Sequence, residues 1–305
     1  MFKKVFLFLW FILFVGCASK KPISWQNRVL DNRVEALPLS YLEYGVEHSE
    51  TILFLHGFGE SKETWRFLVP KLSQKYHLIL LDLKGFGASP KPEDEAYSVY
   101  DQAKLVALFM AQKQLKDVTL VGHSLGGGVA LVLALMQKDK LIPKRLKQLI
   151  LINSMSYKQQ LPSMLRLLNR PIIGFLAIHI ASNDYMAEEA YRYAFYNDDL
   201  IPKESVEASS NYMSYPLAKY AYLQTVEQLI PDDIEIIQRR YREILLRTLI
   251  MWGREDVSIG LYQGKRLHRN LKNSKLILFS KVGHSPHEEV PQKVTREILK
   301  FMEAH

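Results

Sequence analysis

The sequence predicts an α/β protein in which a doubly wound, mostly parallel sheet carries an inserted helical segment. Short apolar runs of strand-forming residues alternate with stretches of helical periodicity, which is the pattern of a parallel sheet covered by helices on both faces. The alternation stops at residues 154–240, where amphipathic helical stretches follow one another without a buried strand, and it resumes afterwards. The helical stretch therefore interrupts one sheet and does not form a second sheet of its own.

The strands are expected where apolar, strand-forming residues run together. A weak alternation over residues 34–44 predicts edge strands before a turn at Gly45. The later runs, such as TILFL, are apolar almost throughout, as in strands that are buried on both faces. These buried strands are expected at residues 51–55, 78–83, 118–121, 148–152, 245–252 and 275–279.

The helices are expected between these strands, where apolar residues recur every three or four positions. The last one starts close to Pro291, a residue that the first turn of a helix tolerates well. The helices of the sheet region are expected at residues 61–72, 100–115, 125–138 and 291–302.

The stretch VTLVGHSLGGGV at residues 118–129 carries the clearest chemical signal. A strand runs into Gly122-His123-Ser124-Leu125-Gly126, and small residues then open a helix. G-x-S-x-G between strand and helix is the nucleophile elbow, in which a tight turn lifts the serine hydroxyl out of the sheet. The flanking positions are glycine because larger side chains would collide with the neighbouring strand or helix. Ser124 is therefore the candidate nucleophile.

A serine hydroxyl is a weak nucleophile at neutral pH, so it needs a base, and the base needs an orienting acid. In a doubly wound sheet such groups lie beyond the carboxyl ends of the strands. Glu255 and Asp256 follow the fifth of the six expected buried strands, at residues 245–252. His284 and His287 follow the sixth, at residues 275–279. Either carboxylate is a candidate acid. His284 is the expected base, whereas His287 is expected at the surface or at the rim of a pocket.

Five short pieces in chain order together resemble a capped α/β-hydrolase. They are HGFG at 56–59, DLKGFGAS at 82–89, GHSLGG at 122–127, WGRED at 252–256 and GHSP at 283–286. The resemblance implies Ser124 as nucleophile, His284 as general base and Asp256 as orienting acid. It also implies an oxyanion hole made by the backbone N–H groups of Phe58 and Leu125.

Other residues near these motifs have structural roles in our interpretation. His123 is expected to pack beneath the serine, and His56 to hold the turn of the oxyanion loop by hydrogen bonds. Asp82 is expected to fix a loop beside the site together with its neighbouring glycines. The tyrosines and methionines of residues 154–240 are expected to be mainly core, with some facing the serine.

The N-terminus reads as a targeting segment. Lys3 and Lys4 precede an uncharged apolar run over residues 5–15, which is too short to span a bilayer as a helix but fits a secretory signal. Residues 14–17, FVGC, resemble a bacterial lipobox, and Cys17 is the only cysteine of the chain. The resemblance implies lipidation of Cys17; a plain signal anchor is the alternative. Either way the body is expected in the bacterial cell envelope, outside the cytoplasm.

The expected organisation follows from these observations. Residues 1–16 are a signal peptide and 17–33 a tether, residues 34–153 and 241–305 form the hydrolase core, and 154–240 are a helical cap. The 305 residues carry a formal charge of +8, but without a Lys/Arg-rich block, so no nucleic acid is expected as partner. No cofactor and no metal are expected, because neither a phosphate-binding loop nor metal-ligand spacing is found.

The function expected from the residues and the resemblance is hydrolysis of carboxylic esters with a hydrophobic acyl or lipid-like group, on a membrane-anchored protein. A serine at the elbow favours an acyl-enzyme over the alkyl-enzyme that an aspartate there would form. Cleavage of a carbon–carbon or amide bond by the same triad is a second possibility. A non-catalytic protein that keeps the fold for ligand binding or signalling is a third.

Overall fold

The computed structural model describes Trp25, Asn27 and residues 35–304. The predicted signal peptide, Cys17 and most of the predicted tether lie outside the described residues. Within the described part, no helix combines the length and the apolar character needed to cross a membrane.

One seven-stranded sheet organises the described chain. Its spatial order is β1-β3-β2-β4-β5-β6-β7. The edge strand β1 is antiparallel to β3, and every other neighbouring pair is parallel. The predicted α/β class and mostly parallel sheet are confirmed. The strands are β1 (Tyr41–Tyr44), β2 (Thr51–Leu55), β3 (His77–Leu81), β4 (Val118–His123), β5 (Leu146–Ile152), β6 (Arg247–Gly253) and β7 (Ser274–Phe279).

Apolar residues cover both faces of the sheet because successive side chains of a strand point in opposite directions. In β2, Leu53 packs in the larger apolar cluster on one face, while Phe54 packs in the smaller cluster on the other. Leu120 and Val121 of β4 divide in the same way. All four side chains are fully buried. This two-sided burial is why the central strands read as unbroken apolar runs.

Twelve α-helices are found in the described residues, and six of them lie between β5 and β6. They are α1 (Val69–Leu72), α2 (Val99–Gln112), α3 (Leu125–Lys138), α4 (Ser163–Leu168), α5 (Pro171–Ile180), α6 (Asn183–Ala194), α7 (Lys203–Met213), α8 (Ala218–Glu227), α9 (Ile234–Arg240), α10 (Leu261–Asn270), α11 (Pro286–Glu289) and α12 (Pro291–Glu303). Helices α4 to α9 fall within residues 154–240, and we call this part the inserted segment.

The helix predicted over residues 61–72 is wrong as a single element. The chain forms a short 3-10 helix at Lys62–Trp65 and then the one-turn helix α1. Pro70 explains the break, because its ring nitrogen cannot donate a hydrogen bond to the carbonyl of Arg66, as a continuous helix would require. Pro70 instead occupies the first turn of α1, where no such bond is needed.

Candidate active site

Ser124 lies on a strained turn between β4 and α3. Its φ of 48° and ψ of −114° are unusual for a residue with a side chain. The turn is closed by near contact of two backbone segments. A Cβ atom on Gly122 would lie 2.4 Å from the carbonyl oxygen of Gly126, and one on Gly126 would lie 2.2 Å from that of Leu55. The glycines are therefore required by the elbow geometry.

His284 and Asp256 form a hydrogen-bonded pair beyond the ends of β7 and β6. Nδ1 of His284 lies 2.8 Å from Oδ2 of Asp256, and both residues are largely buried. A carboxylate can only accept, so Nδ1 carries the hydrogen and Nε2 is left as the basic nitrogen. Ser124 and His284 line the same cavity. The structure thus brings together the three residues that the sequence singles out for the triad.

Asn153, at the end of β5, is a part of the site that the sequence analysis missed. Its Nδ2 donates to Oδ2 of Asp256 over 2.5 Å, and its Oδ1 accepts the amide of Gly253 over 3.2 Å. The amides of Ser258 and Ile259 donate to the other carboxylate oxygen. Burial acts to raise the pKa of Asp256, but His284 and these hydrogen bonds outweigh it and lower the pKa. The acid is therefore held ionised.

Glu255, the alternative acid, binds a backbone amide instead of the histidine. Its Oε2 accepts the backbone amide of Val282 over 3.1 Å. The carboxylate that reaches His284 is that of Asp256.

The loop after β2 brings a second backbone amide to the cavity. Phe58 and Leu125 both line the cavity, and within the described residues neither backbone N–H donates to a protein acceptor. The ring of Phe58 packs edge-to-face on Phe86 and Tyr222, which fixes the loop. Two such free amides beside a nucleophile have the donor chemistry of an oxyanion hole.

His56 and Asp82 hold the neighbouring loops, as expected. Nδ1 of His56 bonds the carbonyl of Gly57 over 2.7 Å, and its Nε2 accepts the amide of Leu83 over 3.0 Å. Asp82 is fully buried and binds both the backbone and the ammonium group of Lys62 over 2.6 Å. The loop after β3 is thereby tied to the loop after β2.

An ion pair between His123 and Glu60 lies beside Ser124 at the cavity wall. Nδ1 of His123 lies 3.0 Å from Oε2 of Glu60, and the same carboxylate oxygen accepts the amide of Gly57 over 2.7 Å. Burial acts to raise the pKa of Glu60, but His123 outweighs it and holds the pKa far below its usual range. Conversely, burial acts to lower the pKa of His123, and Glu60 reverses this and raises it. Glu60 thus ties the oxyanion loop to the elbow.

The expectation for His287 was wrong, because its side chain is fully buried. Its ring packs 4.4 Å from that of His123 and 4.6 Å from that of Trp65, measured between centroids. Its Nε2 lies 2.8 Å from the hydroxyl of Thr64. Helix α11 turns the residue inward at this point, and burial lowers the pKa of His287 well below its usual value. The ring is therefore a neutral support for the elbow histidine.

Glu60, His123 and His287 also form a group whose ligand atoms lie within 4.8 Å of one another, a composition that can hold a metal ion. Hydrogen bonds already occupy both nitrogens of His123 and an oxygen of Glu60. Of the ring nitrogens in this group, only Nδ1 of His287 has no partner among the described residues. The three side chains come from separate chain segments, so the spacing of residues in the sequence does not predict that they meet.

A cavity of about 580 Å³ lies over Ser124, between the sheet and the inserted segment. Helices α4, α5 and α6 supply mostly apolar side chains to its wall, among them Leu165, Leu168, Ile178 and Met186. Tyr191 and Tyr222 also reach the cavity. The space is large enough for a ligand of drug-like size or an acyl chain, and its wall favours apolar groups.

The chain matches a sequence model of the alpha/beta hydrolase fold over residues 50–291. It is 28% identical over 277 residues to the uncharacterised hydrolase YugF of Bacillus subtilis (strain 168), which covers 88% of this chain and 96% of the relative. It is 26% identical over 304 residues to Lipase 1 of Psychrobacter immobilis, with 92% and 90% covered. It is 25% identical over 256 residues to 2-hydroxy-6-oxo-2,4-heptadienoate hydrolase of Pseudomonas putida, with 83% and 89% covered.

Solved structures agree with this relationship. The crystal structure of a membrane phospholipase A superposes with a TM-score of 0.72 at 26% identity, covering 88% of this chain and 84% of that one. A variant of the meta-cleavage product hydrolase CumD superposes with a TM-score of 0.73 at 20% identity, covering 88% and 95%. With the fold, the elbow and the family match in agreement, the chain belongs to the α/β-hydrolase family and is a hydrolase of that type.

Proposed function

We propose that the protein is a serine hydrolase that cleaves carboxylic esters with hydrophobic acyl or lipid-like groups. The observation that carries the proposal is the strained Ser124 in an apolar cavity that it shares with His284, whose other nitrogen is held by Asp256. The relative named Lipase 1 supports an ester substrate.

The proposed reaction follows from these positions. Nε2 of His284 takes the proton of Ser124 as Oγ attacks the acyl carbon, and Asp256 stabilises the imidazolium that forms. The backbone amides of Phe58 and Leu125 hold the negative oxygen of the tetrahedral intermediate, where each donor contributes about 3 kcal/mol. His284 then protonates the leaving alcohol, and water releases the acid from the acyl-enzyme by the same steps.

The test is an ester-length series with p-nitrophenyl substrates on the wild type and on Ser124→Ala. We expect the substitution to lower kcat by roughly a millionfold, to the level left by binding and the oxyanion hole. Ser73→Ala, at a serine before the start of β3, is the matched control and should keep full activity. Unchanged hydrolysis by Ser124→Ala would contradict the proposal.

Cleavage of a carbon–carbon bond is the second candidate, favoured by the relative named 2-hydroxy-6-oxo-2,4-heptadienoate hydrolase. Both reactions use an activated serine, so the cavity decides between them. Loss of the visible absorbance of a dienone substrate, at a higher kcat/KM than any ester, would establish this alternative. Failure of a fluorophosphonate probe to label Ser124 in folded protein would instead favour a binding protein without turnover.

We also propose that the protein is anchored in the bacterial cell envelope through a lipid on Cys17. The support is the apolar stretch at residues 5–15 followed by the lipobox-like FVGC. Metabolic labelling with a clickable fatty acid should mark the wild type and not Cys17→Ser. Equal labelling of both would contradict lipidation at this residue.

A further inference from the structure

Helix α5 is apolar except for the exposed His179 and yet lies at the surface. Its sequence is PIIGFLAIHI, and of its ten residues only Gly174 and Ile178 are buried. Ile172 is 77% exposed and Ile180 is 80% exposed, while Ile173, Phe175 and Leu176 are about half exposed. A helix that is apolar all round is normally enclosed by protein or lipid. The outer face of α5 therefore lacks a partner within the described residues.

The inner face of the same helix belongs to the cavity. Ala177 and Ile178 line the space over Ser124, as does Ala181 just after the helix. Leu167 on α4 and Tyr185 on α6 line the cavity as well and are 41% and 60% exposed, so they lie at its mouth. One layer of helix thus separates the cavity from the exposed apolar surface, and the mouth opens beside that surface.

The chain segment that contains α5 carries basic residues and no acidic ones. No Asp or Glu occurs from residue 154 to residue 183, whereas Lys158, Arg166 and Arg170 fall in this stretch. Arg166 and Arg170 both precede the start of α5, are exposed, and have no acidic partner among the described residues. Two copies meeting through this face around a two-fold axis would bring equal charges together. An anionic lipid surface would attract the same residues.

We propose that α5 docks on an anionic lipid bilayer, with its outer face in the headgroup region, and that ester substrates pass from that bilayer into the cavity mouth between Leu167 and Tyr185. The substrate class is then a lipid ester, and this part rests on the proposed function. A surface helix with an apolar face and basic residues beside it binds in the plane of the membrane interface through both features.

The first test measures docking without turnover. Full-length Phe175→Trp is mixed with vesicles of phosphatidylcholine and phosphatidylglycerol that carry bromine on their acyl chains, and its fluorescence is compared with that of the wild type. We expect quenching of the added tryptophan. Leu245→Trp is the control, because Leu245 is 66% exposed and precedes β6 at the edge of the sheet opposite Ser124. Absence of quenching in Phe175→Trp would overturn the proposal. It would mean that lipid does not contact the helix, and that its cover is a second copy or the N-terminal apolar stretch.

The second test separates docking from chemistry. Ile172→Ser combined with Ile180→Ser removes two outward side chains that do not line the cavity. We expect hydrolysis of vesicle lipid to fall roughly tenfold or more, with hydrolysis of a soluble short ester unchanged. Leu245→Ser should leave both activities unchanged. Equal loss of both activities, or conversion of a dimer into a monomer without lipid, would overturn the docking role.

A charge variant completes the design. Arg166→Glu with Arg170→Glu should lower binding to vesicles that contain phosphatidylglycerol, and added salt should lower wild-type binding in the same way. Equal binding of wild type and variant to these vesicles would overturn the choice of an anionic surface. If no ester is hydrolysed by the wild type, the proposed function fails while the quenching result still decides the docking proposal.

Discussion

His123 donates a hydrogen bond from Nε2 to the backbone carbonyl oxygen of His284 over 2.9 Å. The residue before Ser124 thereby positions the proposed base. Glu60 holds the opposite nitrogen of His123 and also accepts the amide of Gly57, so one carboxylate connects the loop after β2, the elbow and the proposed base.

We expect Glu60→Gln to lower kcat about 10-fold to 100-fold with little change in KM. Hydrogen bonds to charged groups contribute about 1.5–3 kcal/mol, and the substitution removes the charge that keeps His123 protonated. Steady-state kinetics measure the first effect, and an NMR titration of His123 should show its pKa falling. Glu63→Gln, three residues along the chain, is the control. Wild-type kcat in Glu60→Gln would show that the pair has no part in positioning.

Asn153→Gly is expected to lower kcat/KM and to move the acid limb of its pH profile to higher pH. Glycine tolerates the φ of 40° at this position, so the variant removes the amide without adding backbone strain. Asp256 acts as a carboxylate, and loss of a hydrogen bond that lowers its pKa lets it take up a proton at higher pH. Asn273→Gly, at an exposed asparagine, should leave the profile in place. An unshifted acid limb in Asn153→Gly would contradict this role.

Because of Glu288, we expect the protein to lose stability as the pH rises from about 4.5 to about 7. Burial raises the pKa of Glu288 from 4.5 to about 7, although Ser205 and Thr64 donate to the carboxylate. In this range the folded state binds more protons than the unfolded state, so the free energy of unfolding falls as pH rises, by about 3 kcal/mol in total. Urea unfolding of the wild type and Glu288→Gln across this range measures the effect.

In Glu288→Gln the same dependence should be largely absent, because the amide does not titrate. The exposed Glu207→Gln serves as control and should keep the wild-type slope. Parallel slopes for the wild type and Glu288→Gln would mean that another group is responsible.

Gly126→Ala is expected to destabilise the fold by about 3 kcal/mol or more, because the added methyl group would meet the backbone of Leu55, which cannot move aside. Gly260→Ala is the matched control. The Cβ there would lie 2.9 Å from the ring of Tyr262, which is 62% exposed and free to turn. Urea midpoints of the two variants should therefore differ clearly. Similar midpoints would contradict the packing argument.

The sequence predicts the parts of this protein that depend on local pattern and strand ends. The candidate triad of Ser124, Asp256 and His284 is predicted because each residue follows an apolar strand, and parallel strands end at one edge of the sheet. The expected buried strands match observed strands to within a few residues. Residues 61–72 do not form the single predicted helix, because Pro70 breaks a stretch whose pattern otherwise indicates a helix.

The support of the triad was not predictable in the same way. Asn153, Glu60 and His287 lie in segments whose local patterns give no chemical signal, and they meet only through the tertiary fold. His287 was expected at the surface because it follows a proline and opens a helix. The direction in which that helix faces is set by packing against Trp65 and His123, which lie far from it in the sequence.

The amide of His284 donates to the carbonyl oxygen of Ala194, the last residue of α6, over 2.6 Å. This bond joins the inserted segment to the loop that carries His284. If α6 swung away to admit a ligand, the loop that carries His284 would lose its acceptor and with it part of its alignment.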